Sequence, residues 1–129
     1  MTNEDRSILI QYRVNKATDT LNEVPLLIAN ELWNTAVNRL YYACYYAVIA
    51  LLIQNRIEAT THAGVRQMLG QHFVKNALLE IELGKFYSYL FNMRQTGDYE
   101  DFMDFTREDV EDLILPATSF IEAIKQLIN

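Results

Sequence analysis

The stretch Leu32–Gln54, LWNTAVNRLYYACYYAVIALLIQ, decides the fold. Leu32, Ala36, Leu40, Ala43, Ala47 and Ala50 recur at steps of four and three, which puts them on one face of a helix. Most of these side chains are small, so a neighbouring helix can approach closely. The flanks are not polar: Tyr41, Tyr42, Tyr45, Tyr46, Val48, Ile49 and Leu52 surround the stripe. A helix that is apolar all round is buried on several sides, so this one is expected at the centre of a helical bundle, at a dimer interface, or both. The uncharged run between Arg39 and Arg56 is 16 residues long and contains four tyrosines. A membrane span needs about 20 predominantly apolar residues, so a buried core helix is predicted and no membrane association.

Four more helices are read outward from this rod. The first spans about Asp5–Ile28, with Leu9, Ala17, Leu21, Val24 and Ile28 on one face. Pro25 lacks a backbone donor and crowds the preceding turn, which predicts a kink or break near Asn22. Glu58–Thr61 reads as a loop, with Thr60 or Thr61 capping a short third helix that reaches about Val74. A fourth helix is expected over Ile81–Thr96, with Phe86, Leu90 and Met93 inward and Gly97 as its left-handed terminator. Thr106 and Asp109 form a capping-box variant before a fifth helix, whose apolar period runs Val110, Leu113, Ala117, Phe120, Ile124 and Leu127. Pro116 predicts a bend within it. No segment alternates with period two. The fold class predicted is all-α, an up-and-down bundle of about five helices.

Composition narrows the function classes. With 129 residues, one domain over 1–129 is expected, large enough for its own core. The lone Cys44 cannot form an internal disulfide, and with no basic-then-apolar leader at the N-terminus a cytoplasmic location is expected. The net charge is −6, but its placement matters more. Gly97–Asp112 holds eight acids against Arg107 alone, so the rest of the chain is close to neutral. No block of Lys and Arg is present to displace counterions from a nucleic-acid backbone, which argues against tight general binding to DNA or RNA. His62 and His72 have no carboxylate at ligand spacing between them, and Asp98–Asp104 lacks the spacing of a calcium loop. No metal site or cofactor is predicted.

Three segments carry a resemblance that extends over nearly the whole chain. Ala36-Val37-Asn38-Arg39-Leu40-Tyr41-Tyr42-Ala43-Cys44-Tyr45-Tyr46-Ala47 resembles the long second helix of bacterial HEPN-domain proteins of the UPF0332 subgroup. Thr61-His62-Ala63-Gly64-Val65 with His72-Phe73-Val74-Lys75 is similar to that subgroup's third helix, and Arg94-Gln95-Thr96-Gly97-Asp98-Tyr99 to its Arg-x-x-x-Asp-Tyr signature. The resemblance implies a bundle that dimerises through its central helices, with a site at the dimer interface. In the family's ribonucleases that site is an Arg-x4-6-His motif at the end of the fourth helix. Many small members are encoded beside a minimal nucleotidyltransferase and act as the toxin of a toxin–antitoxin pair.

The resemblance makes Arg94, Asp98 and Tyr99 the candidate catalytic residues. Metal-independent RNA cleavage needs a base for the 2′-hydroxyl proton and a cation for the charge developing on phosphate. Arg94 supplies the cation. Five positions on stands Tyr99 instead of histidine, and tyrosine, with a pKa of about 10, is a donor at neutral pH. Asp98, at about 3.9 unperturbed, is too weak a base unless burial raises it. Two readings follow. In one, Arg94 and Asp98 form a buried pair that stitches the end of the fourth helix to the following loop, and Tyr99 packs its ring and donates one hydrogen bond. In the other, a two-fold axis gathers two copies of all three residues in one cleft. Arg39 and Tyr42, at i and i+3, either line that cleft or reflect an arginine paired to acids of another helix. His62 is a substitute base or a packed residue at a helix start. The tyrosine cluster stacks bases or forms core and dimer interface. The expected function is therefore a homodimeric binding module, partner of a nucleotidyltransferase and possible nucleotide binder, with a degenerate endoribonuclease toxin that acts on RNA as the alternative. Tyr99 is a candidate acceptor for a nucleotidyl group.

Overall fold

The computed structural model describes residues 1–129 as five α-helices with no strand. They are α1 (Asn3–Ala29), α2 (Trp33–Gln54), α3 (His62–Leu69), α4 (Ile81–Tyr99) and α5 (Arg107–Gln126), and a π-helical turn, Gly70–Val74, extends α3. Contacts between distant residues give the directions. The Arg6 guanidinium near the start of α1 donates to the Ile53 carbonyl near the end of α2, at 3.0 Å. Asn34 at the start of α2 holds the backbone of Gly97 and Phe105, where α4 ends and α5 is about to begin. Gln54 at the end of α2 donates to the Leu127 carbonyl beyond α5. Thus α2 and α5 run one way and α1 and α4 the other, an up-and-down bundle around α2, which touches all four other helices.

The core follows from periodicity. Ala36, Val37, Leu40, Tyr41, Ala43, Cys44, Ala47, Val48, Ala50, Leu51 and Leu52 of α2 are buried. Leu32, at the cap of α2, is the one member of the small-residue stripe left exposed. By length and composition α2 could cross a membrane, yet most of its apolar window is covered by the other helices. Both N-caps read from sequence are present. Thr61 accepts from the Gly64 amide at 2.9 Å, and Thr106 and Asp109 exchange both capping-box bonds.

Some details differ from expectation. Helix α1 runs unbroken through Pro25 to Ala29, so of the kink or break expected there the break is absent. Val24 is buried, and Leu21, Leu27 and Ile28 pack on the core, so tertiary contact outweighs the roughly 3 kcal/mol proline penalty. The buried stripe of α4 is Tyr87, Leu90, Phe91 and Arg94, one step round from Phe86 and Met93, which are half-covered. Gly97 is an interior residue of α4, which continues to Tyr99. It is glycine because a Cβ there would lie 2.6 Å from Cε2 of Phe105. Left-handed backbone falls instead on Glu31, Arg56, Ala77 and Phe102. The first three follow helices in a Schellman pattern, as in the bonds from Leu32 N to Leu27 O and from Ile57 N to Leu52 O.

Candidate functional site

The penultimate turn of α4 delivers Arg94 to the N-terminal half of α2. Its side chain is 5% exposed, which is unusual for an arginine. The guanidinium carbon lies 4.8 Å from the ring centre of Tyr41, 5.7 Å from Tyr42, and 6.0 Å from both Phe91 and Tyr99. Aromatic faces attract a cation through their negative quadrupole, so this box holds the charge without neutralising it. One carboxylate approaches: Asp98 Oδ2 is 3.6 Å from Arg94 Nη1. The Arg94 Nε–H is buried with no acceptor, as are the Nε–H groups of Arg6 and Arg13 outside this cluster. A buried donor left unpaired costs about 1–3 kcal/mol, and native folds seldom carry one without a reason.

A polar chain continues from Asp98. The Asn38 amide donates to Asp98 Oδ2 at 3.0 Å, and Arg39 donates to Asn38 Oδ1 from Nε at 3.2 Å and Nη2 at 3.0 Å. Arg39 also lies over Tyr42, 5.1 Å from its ring centre. Arg39 and Tyr42 therefore adjoin Arg94. The alternative of an arginine paired to acids of another helix does not hold, because no carboxylate lies within 4.0 Å of Arg39 and its partner is an amide oxygen.

His62 enters from the first turn of α3. Its Nδ1 is 2.8 Å from the Tyr41 hydroxyl, and its ring centre is 4.5 Å from that of Tyr45. Burial, and then the charge of Arg94, hold its pKa below 6.5, so the ring is neutral at pH 7. With the ring proton on Nδ1, donating to the Tyr41 oxygen, Nε2 offers a free lone pair. With the proton on Nε2, that nitrogen is a donor. Burial pushes the Tyr41 phenol up to about 12, so it stays protonated.

The structure thus brings Arg94, Asp98, Arg39, Tyr42 and His62 into one cluster. Tyr99 stands at its edge, 75% exposed, so the reading in which its ring packs into the fold is wrong: the last turn of α4 points it into water. Asn38, which bonds both Arg39 and Asp98, and Phe91, which closes the box, were not among the site residues expected from the sequence. An asparagine inside an otherwise apolar helix was the available signal for Asn38, since asparagine is a poor helix former.

The model of the HEPN domain matches residues 10–127. This chain belongs to the HEPN-domain family. A UPF0332 protein of Thermotoga maritima is 40% identical over 125 residues, covering 97% of this chain and 95% of that protein. Two proteins of Methanocaldococcus jannaschii named as candidate toxins are each 31% identical. One match covers all of this chain and 96% of its relative, the other 92% and 81%. The all-α bundle and the kinship with UPF0332 proteins agree with what the three sequence segments implied.

Proposed function

We infer that this HEPN-domain protein is a homodimeric binding module of a toxin–antitoxin pair, that its partner is a nucleotidyltransferase, and that the Arg94 cluster binds a nucleotide. The observation that carries this reading is the unpaired Nε–H of Arg94 inside an aromatic box. A phosphate oxygen is the acceptor that would satisfy it, and tyrosine faces suit a base. The relatives named as candidate toxins support the pairing. Tyr99 is the residue that a nucleotidyltransferase would modify: it is exposed to water and its ring centre lies 6.0 Å from the Arg94 guanidinium carbon. In that step the Tyr99 oxygen attacks the α-phosphorus of ATP, pyrophosphate leaves, and the phenol proton goes to solvent. Incubation with a minimal nucleotidyltransferase and ATP, followed by peptide mass spectrometry, should give a gain of one AMP residue on Tyr99. A gain elsewhere, or none with an enzyme active on its own partner, rejects this assignment.

A specific observation favours a second reading, the endoribonuclease toxin. His62 is held neutral beside Arg94 and could act as the base that the signature lacks. Growth arrest on expression, relieved by Arg94→Ala and by His62→Ala but not by the exposed Lys75→Ala, would establish it. Unimpaired growth at full soluble expression excludes it.

A further inference from the structure

A separate cleft of about 520 Å³ opens between α4 and the helix formed by α3 and its π-helical turn, a size suited to a small organic molecule. No member of the Arg94 cluster lines it. Two glycines set its shape. At Gly84 a Cβ would lie 2.8 Å from Cγ2 of Val74, so the missing side chain brings the two walls into contact there. At Gly70 a Cβ would meet nothing within 4 Å, so the missing side chain leaves the space open. Gly70 and Val74 are the ends of the π-helical turn, and such turns recur at functional sites.

The cleft has an apolar end and a polar end. Val74 meets Gly84, and seven residues further along α4 Arg66 covers Phe91, its guanidinium carbon 4.3 Å from the ring centre. The walls are therefore antiparallel, and the cleft runs about 10 Å, at roughly 1.5 Å per helical residue. Leu69, Val74 and Ile81 supply apolar surface, and Ile81 and Tyr89 are more than half exposed. Ser88 and Asn92, one helical turn apart, line the part toward Arg66.

The lining contains Arg66 and Lys85 and no acid, in a chain of 17 acids and 11 lysines and arginines. Lys85 is answered from outside the lining by Glu82 at 3.7 Å, a pair that is mostly in water and therefore weak. Arg66 has no carboxylate within 4.0 Å. The Phe91 ring takes its face, which leaves the N–H edges for a ligand, and an arginine already held in place loses little freedom on binding.

We propose that this cleft binds a small carboxylate with an apolar body, the carboxylate on Arg66 beside Ser88 and Asn92, the body on Leu69, Val74 and Ile81. The one cation without a carboxylate matches one negative charge, and its guanidinium fork donates to both carboxylate oxygens. The site does not depend on nucleotide binding at Arg94.

The test is a titration of nitrogen-15-labelled full-length protein with sodium octanoate, followed in the amide and arginine Nε–H resonances. Saturable shifts should centre on Gly70, Gly84, Ser88 and the Arg66 Nε–H. Octanamide, which keeps the body without the charge, should bind at least about tenfold more weakly, the effect of losing a hydrogen-bonded charge. Acetate, a head without a body, should give no saturable shift, because it buries almost no apolar surface. Arg66→Gln should weaken octanoate binding by a similar factor. Gly70→Leu places a side chain in space the fold leaves free and should abolish the shifts, with helix content by circular dichroism unchanged. Octanoate shifts that fail to saturate by about 10 mM, that centre on other residues, or that survive Arg66→Gln overturn the site, and so does octanamide binding as tightly as octanoate.

Discussion

Replacing Gly97 by alanine should destabilise this protein, against the usual rule for a glycine inside a helix. On propensity alone, alanine would stabilise α4 by up to about 1 kcal/mol. The new Cβ, however, would lie 2.6 Å from Phe105 Cε2 and 3.4 Å from both Cδ2 and Cζ. Phe105 is buried and its amide is held by Asn34, so the ring cannot retreat without disturbing the start of α5. Overpacking of this kind costs about 1–3 kcal/mol. The net expected is a loss of about 1 kcal/mol, or a melting temperature lower by roughly 3–6 °C for a domain of this size. The assay is a double-mutant cycle by urea denaturation. In a Phe105→Leu background the clash is gone, and Gly97→Ala should become neutral or stabilising, a coupling of about 1–2 kcal/mol. If Gly97→Ala stabilises the otherwise unchanged protein, the close contact does not explain the glycine.

The His62 pKa is lowered on folding, so the native state binds fewer protons than the unfolded chain near pH 6.5. Its contribution to stability is complete above pH 6.5 and is lost as pH falls toward the folded pKa. His62→Gln should flatten thermal stability between pH 7 and about 5, and an NMR titration placing His62 above 6.5 would refute the assignment. Asn34→Ala should cost about 1–3 kcal/mol and accelerate hydrogen exchange at the Phe105 amide, because one side chain serves three backbone groups between Gly97 and Phe105. Cys44 is fully buried with its thiol pKa pushed up, so a disulfide reagent should label it only at the global unfolding rate; rapid labelling of the folded protein would contradict its placement in the core.

What the sequence revealed was what local chemistry controls. The all-round apolar character of α2 set it at the centre, and the caps at Thr61 and Thr106 are short-range devices with fixed spacing. The Arg94–Asp98 approach was legible for the same reason, as a pair one helical turn apart. The misreadings concern contacts between distant segments. Gly97 resembled a helix terminator because the ring that requires it, Phe105, approaches from the far side of a loop. The Asn38–Asp98 bond spans 60 positions and the Tyr41–His62 contact 21, and no spacing rule could join them. The burial of Arg94 was legible too, in the reading of a buried pair with Asp98, although Arg94 was not placed in the apolar stripe of α4.

The central claim is that Arg94 holds an unused donor for a phosphate, and its Nε–H can be watched directly. In nitrogen-15-labelled protein titrated with AMP, the Arg94 Nε–H resonance should shift downfield with saturation while that of exposed Arg107 stays in place. A resonance that does not move up to millimolar AMP, in protein shown to be folded, would mean that Arg94 is only a stitch between α4 and α2.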